Sequence, residues 1–429
     1  MNVEPLIIKI PGDKSITHRV LFMSLFYKYS QINNFCNSQD CLATIDCLKK
    51  LGVAISMHDL TIKTKLINYD RNFDDIKLDA QNSGTTARLI TGIISGWNGS
   101  DFILTGDMSL SNRPMSRLIE PLRLMGADIT DINNNSKLPI LIKGRKLTGI
   151  KYSIPTASAQ IQSALLFAGL SADNYTITRV PKVVRNHTQK LFRSLNIYCK
   201  NIGLLTSGTK RINSIQNSFM YDVPSDLSSA SFFMVLASLF QDANIITENV
   251  NINLGRKLII DVMQTINCDL NIYNHKTINF EDIYDINIKS SKSYGDVVID
   301  ANNIATGIDE IMIIALLLAL NNGTSIIKDA RELMYKESNR LSLIIKNLAN
   351  AGANIQPIND GFKIIGIKEL YGDSVWITDN DHRIAMTGVI ANLIAKKNIK
   401  VDNTNCIAIS FLDFLNQIDL FKRKFVNKL

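Results

Sequence analysis

A chain of 429 residues is too long for one ordinary hydrophobic core, so its length implies two domains. Its 46% hydrophobic and 20% charged residues are those of a folded globular protein and exclude long disordered stretches. The formal charge of +8 is not gathered into a basic run or stripe, which argues against a nucleic-acid or membrane surface and for a small polyanionic ligand.

The N-terminal MNVEPLIIKI lacks the basic region and long apolar core of a signal peptide. Pro11, Gly12 and Asp13 then form a turn. Ser15 can cap a helix, which is expected from about Ile16. Lys14, Ser15 and Arg19 sit at that helix start, where free N–H groups attract anions. A capped helix with solvated charges is the plainer reading of the same residues. Next, CLKKLGVAI reads as a helix closed by Gly52 and followed at once by a strand. NSGTTARL leads into another helix start, where Gly84 would let an anion approach the backbone and Arg88 lies one turn on. In GDMSLSNRPM, Arg113 precedes Pro114 and is expected in extended backbone, able to aim its guanidinium at a carboxylate or phosphate. PLRLMGADI repeats the helix, Gly126, strand pattern.

Farther on, PTASAQIQSALLFAGL places Ser158, Ala159 and Gln160 before an apolar helix, where they can cap it or bind neutral hydroxyls. LFRSLNI and MQTINCDLNI repeat the helix-to-strand pattern with Asn196 and Asn267, and VPSDLSSASFF is a plausible domain crossing. IDEIMIIALLLAL begins a buried helix with Asp309 and Glu310, which normally cap such a start. The apolar run from Ile311 to Leu320 is too short to span a bilayer. In YKESNRLSL, Lys336 and Arg340 are expected four apart on one helical face, where like charges repel unless an anion lies between them. Glu337 adds a carboxylate to that patch. IKNLANAGANI repeats the pattern with Gly352. In DNDHRIAM, Asp381 caps a helix and Arg383 lies in its first turn, against the dipole unless it grips a ligand anion. FLDFLNQI, with Asn416, is a weak last copy of the repeat.

Six copies at roughly 70-residue spacing are too long for a solenoid and suit a small α/β module used six times, three to a domain. The six cysteines form no CxxC pair and no zinc spacing with histidine, so they read as reduced and mostly buried in a cytoplasmic protein without a bound metal.

Taken in order, PGDKSITHR, NSGTTARL, the segment at Arg113, PTASAQ, IDE, KESNR and DHRIAM resemble the signatures of the 5-enolpyruvylshikimate-3-phosphate (EPSP) synthase family over residues 8 to 416. The variants ASAQ, RNHT and KES resemble the second of its two broad bacterial classes. The resemblance implies an α/β (α+β) fold of two similar domains joined by two crossings. Each domain would hold three βαβαββ modules in an inside-out α/β barrel, with the ligand site in the interdomain cleft. The expected domains are 1–12 plus 229–429, on the phosphoenolpyruvate side, and 13–228, on the shikimate 3-phosphate side.

The implied reaction transfers the enolpyruvyl group of phosphoenolpyruvate to the 5-hydroxyl of shikimate 3-phosphate and releases phosphate, on the route to chorismate and aromatic amino acids, with no cofactor. By resemblance, Lys14, Ser15, Arg19, Ser158, Ala159, Gln160, Arg185, Asp309 and Lys336 bind shikimate 3-phosphate. Lys14, Gly84, Arg113, Gln160, Arg340 and Arg383 bind phosphoenolpyruvate, and Asp309, Glu337 and Lys14 move protons. The partners expected are these two small molecules, not nucleic acid or membrane, and the protein is expected to be monomeric. The family is the target of glyphosate, and retention of Gly84 implies sensitivity.

The chain departs from the pattern at several positions. Gln81 and Ser225 stand where glycine is usual, Asn186 and Gln189 where Asp and Glu are usual, and Leu412 where proline is usual. The lysine many relatives carry near Ile409 is missing. Competing readings are the sister transferase acting on UDP-N-acetylglucosamine, a catalytically dead anion-binding protein, and an enzyme modifying nucleic-acid 3′-phosphates. Lys14-Ser15 in place of Lys-Asn argues against the first, and the presence of Asp309 and Glu337 against the second.

Overall fold

The computed structural model describes residues 4–426. The chain divides into two compact units. The first comprises Met1–Pro11, Pro224–Lys276 and Asp282–Leu429; the second comprises Gly12–Val223 and Thr277–Glu281. The crossings therefore fall at Pro11/Gly12 and Val223/Pro224 rather than at 12/13 and 228/229. The hairpin of strands Leu270–Ile278 and Glu281–Lys289 adds a further excursion, because its tip belongs to the second unit.

Within the second unit the module is plain. Strand Ile76–Asp79, helix Gly84–Ile94, strand Asp101–Thr105, helix Ser116–Leu124 and the hairpin Asp128–Asp131/Ile140–Lys143 follow one another. The first two strands pair in parallel and the rest antiparallel. Strands Lys151–Ser153, Thr176–Arg179, Cys199–Ile202 and Thr206–Thr209 repeat this arrangement around helices Ala159–Gly169 and His187–Ser194. In the remaining module the leading strand is Gln216–Asp222, which pairs in parallel with Tyr27–Asn33 although it comes last in the unit.

Helices Lys14–Met23, Gly84–Ile94 and Ala159–Gly169 are buried on nearly every side, and the sheets lie outside them. Gly92 shows how close two of them come: a Cβ there would sit 2.3 Å from the Ala164 carbonyl oxygen. Any side chain at that position would force the pair apart.

The first unit has its own apolar core and repeats the plan around helices Leu227–Leu239, Ile311–Ala319 and His382–Ile394, which pack against one another. Its first two sheets have four strands, while the last consists of the parallel pair Ser374–Trp376 and Ile399–Val401. The repeat accordingly holds in five copies and breaks in the sixth. Gly52, Gly126, Asn196, Asn267 and Gly352 all adopt positive φ just beyond their helices, the conformation that ends a helix with little steric cost for these residues. Asn416 instead lies inside helix Phe414–Phe421, and Lys422–Val426 continues as helix. Gln81 also has a positive φ, of 49°, which accounts physically for the glycine usual there.

All six cysteines are free thiols, and burial raises the pKa of Cys41, Cys47, Cys199, Cys268 and Cys406. Among the described residues no helix is long and apolar enough to cross a membrane.

Candidate active site

In the second unit the candidate residues cluster at helix starts. Asp13, not Ser15, caps helix Lys14–Met23: its carboxylate accepts the Ile16 N–H at 2.9 Å. The helix thus begins earlier than expected, and the Ser15 hydroxyl is available to accept from Arg185 at 3.3 Å. Lys14 Nζ reaches Asp40 at 2.8 Å. Arg19 is only 2% exposed. Its nitrogens donate to the Ser15 carbonyl at 2.7 Å, Thr188 Oγ1 at 2.8 Å and Ser163 Oγ at 2.8 Å. Arg19 is therefore fixed beneath Ser15, and Lys14, Ser15 and Arg185 are the more accessible members of this cluster.

Ser83 caps helix Gly84–Ile94 by accepting from the Thr86 N–H. The bare Gly84 makes room for two guanidinium groups at this helix start. A Cβ there would lie 2.6 Å from Arg88 Nη1 and 3.3 Å from Arg113 Nη1. Arg113 follows the short helix Met108–Ser111 and is held by Asn82 Oδ1 at 3.2 Å and Ser109 Oγ at 3.3 Å. Two guanidinium groups at the positive end of a helix dipole form a ready binding place for an anion.

Ser158 caps helix Ala159–Gly169, and Gln160 Nε2 donates to Thr85 at 3.0 Å, joining two helix starts. A second, buried chain links helix Lys14–Met23 to the start of helix Gly84–Ile94, running from His18 Nδ1 to Thr44 (2.7 Å), Thr86 (2.6 Å) and Ser83 (2.7 Å). Burial, and then the charges of Lys14 and Arg19, push the His18 pKa well below its ordinary value, so the ring is neutral. Lys14, Ser15, Arg19, Gly84, Arg113, Ser158, Gln160 and Arg185 are thus brought together within one unit.

The first unit supplies a cage of opposite composition. Helix Arg340–Asn350 is capped by Asn339, so Lys336 lies before the helix and the two cations do not share a helical face. They meet at Asp309, with Lys336 Nζ at 3.1 Å and Arg340 Nη1 at 3.3 Å. The anion expected between the like charges is a carboxylate of the chain itself. Arg340, 1% exposed, also grips Glu337 at 2.6 Å and Asp381 at 2.7 Å. Burial opposes its charge, but Asp381, Glu337 and Asp309 outweigh burial and hold its pKa above the usual guanidinium range. Asp381 in addition caps helix His382–Ile394 by accepting the Arg383 N–H at 2.9 Å. No side-chain cap closes the helix at Glu310; that carboxylate accepts from Ser228 and lies 3.8 Å from both Arg256 and Arg383.

Asp40, Arg88, Ser163, Thr188 and Arg256 were not singled out by sequence as site residues. Arg88 alone had a local signal, one turn into a glycine-started helix. The others meet candidate residues of their own unit only through long-range packing.

Fold and helix starts together define an α/β protein that carries cations and a few held carboxylates at helix starts in each of its two units. The family model described as EPSP synthase (3-phosphoshikimate 1-carboxyvinyltransferase) matches residues 6–418. A 3-phosphoshikimate 1-carboxyvinyltransferase of Oceanobacillus iheyensis is 40% identical over 413 residues, covering 96% of this chain and 95% of that protein. The protein of the same description from Bacillus subtilis is 37% identical over 422 residues, covering 97% of each. A solved EPSP synthase from Acinetobacter baumannii superposes with a TM-score of 0.82 at 31% identity, over 97% of this chain and 96% of that one. The chain belongs to the EPSP synthase family and is a transferase of that kind.

Proposed function

We propose that the chain transfers the enolpyruvyl group of phosphoenolpyruvate to shikimate 3-phosphate through the residues gathered at these helix starts. Lys14, Ser15 and Arg185, with Arg19 beneath them, hold the shikimate phosphate. Ser158, Ala159 and Gln160 line the ring, and Asp309 and Lys336 meet its hydroxyls. Gly84, Arg113, Arg340 and Arg383 hold phosphoenolpyruvate, with Lys14 and Gln160 between the two substrates. The protein acts as a cytoplasmic monomer. The observation that carries this reading is Asp309: a carboxylate held by Lys336 and Arg340 at the start of a buried helix, with Glu337 on the same guanidinium.

In the addition step the 5-hydroxyl oxygen bonds to C2 of phosphoenolpyruvate and its proton passes to Asp309. C3 gains a proton from the Glu337 and Lys14 side, giving a tetrahedral ketal. In the elimination step C3 loses a proton, the C2–O bond to phosphate breaks, and phosphate leaves. The same groups exchange acid and base roles between the two steps. Fixed cations stabilise the charge on phosphate and carboxylate without reorganising.

The test is phosphate release with each acceptor in turn. Shikimate 3-phosphate is expected to support turnover and UDP-N-acetylglucosamine to support none. Lys14→Ala and Asp309→Ala are expected to lower kcat by about 100-fold or more. Near-normal rates in both variants would overturn the assignment.

A further inference from the structure

Helix His187–Ser194 carries Thr188, which accepts from Arg19, and follows Arg185, which donates to Ser15. Its first turn contains no acidic residue, and its N-cap, Asn186, makes no side-chain capping bond. Yet that turn carries Lys190 near the positive end of the helix dipole, where a neighbouring negative charge is favourable. Glu281 supplies it from the hairpin tip, distant in sequence. Its carboxylate is fully buried, 2.7 Å from His187 Nδ1 and 3.2 Å from Lys190 Nζ. Burial alone favours protonation of Glu281, but His187 and Lys190 overcome it and hold its carboxyl below the usual range.

The tip is shaped for this placement. Asn279 and Phe280 both have positive φ, the two-residue turn that normally selects glycine at its second place. Phe280 occupies that place and lies under the Arg193 guanidinium, 4.7 Å from ring centroid to carbon. Glu281 thus holds the first turn of the helix and Phe280 its last turn.

We propose that Glu281 is a positioning residue for the shikimate phosphate subsite: by fixing the first turn of helix His187–Ser194 it sets Arg185 and the Thr188 partner of Arg19. The inference rests on the assignment of that subsite to the shikimate phosphate. It is absent from the local motifs because Glu281 lies outside all of them. The Asp and Glu usual near this helix start are here Asn186 and Gln189, and Gln189 is buried against Gln162 and Ser207.

The experiment compares wild type, Glu281→Gln and Glu281→Asp in steady-state phosphate release, varying each substrate separately. Shikimate 3-phosphate binding to the free enzyme is measured in parallel by calorimetry. Glu281→Gln is expected to raise KM and Kd for shikimate 3-phosphate about tenfold. Its kcat and its KM for phosphoenolpyruvate are expected to stay within about twofold of wild type. Glu281→Asp keeps the charge and is expected to recover part of the loss, and it carries the test alone if the Gln variant does not fold. Equal rises in both KM values, a loss in kcat alone, or no change would overturn the proposal while wild type remains active. A wild type inactive with shikimate 3-phosphate would instead overturn the subsite assignment.

Discussion

Arg19 and Arg340 are both buried arginines at working helix starts, and they are held in different ways. Arg19 donates to two hydroxyls and a backbone carbonyl. Arg340 is bound by the carboxylates of Asp309, Glu337 and Asp381. In the first arrangement neutral acceptors orient the guanidinium, and the proposed reading gives its charge to the shikimate phosphate. In the second, three carboxylates balance the guanidinium, and the proposed reading gives two of them, Asp309 and Glu337, the proton-transfer roles.

The largest expected effect separates the two cages. Arg340→Met leaves three carboxylates facing a buried gap and is expected to cost about 3–5 kcal/mol of stability. Arg19→Met leaves neutral acceptors unsatisfied and is expected to cost about 1–3 kcal/mol. Chemical denaturation, with hydrogen exchange followed separately in each unit, measures both. Equal losses would remove the contrast.

A smaller effect is expected at Gly84. The added methyl of Gly84→Ala meets Arg88 and Arg113, so a guanidinium has to move. Displacement of that size costs about 1–3 kcal/mol, which corresponds to a rise of between about fivefold and about 150-fold in KM for phosphoenolpyruvate and in the concentration of glyphosate needed for half inhibition. An inhibition curve and KM both unchanged from wild type would show that this helix start does not face that ligand.

The smallest effect concerns His18 behind the second unit's site. Its folded pKa lies below the ordinary value of 6.5, so the unfolded chain takes up the proton first as pH falls. Stability is full above that value and is lost as pH drops from 6.5 toward the folded pKa, by at most about 1.4 kcal/mol per pH unit. Wild type and His18→Gln compared by thermal unfolding between pH 7 and 5 should differ in slope. Parallel slopes would contradict a neutral buried ring.

Much of this was legible in the chain because it is local chemistry. Helix-ending Gly and Asn residues have a steric preference independent of context, so five of the six repeats could be read directly. The sixth failed because the packing of Phe414, Ile418 and Phe421 keeps that segment helical through Asn416. Charges at helix starts were also visible, since a cation against the dipole is locally unfavourable and points to a missing partner.

The identity of those partners was a tertiary matter. Sequence alone determined the α/β repeat, the helix starts and the residues carrying charge, because propensity and dipole act within a few residues. Only the folded chain decided that Asp309 stands between Lys336 and Arg340, that Asp13 frees Ser15, and that Glu281 supports the helix behind Arg185. Those choices depend on distances between segments remote in the chain. Electrostatic and hydrogen-bond energies at such sites change severalfold within a few ångströms, a scale no local pattern encodes.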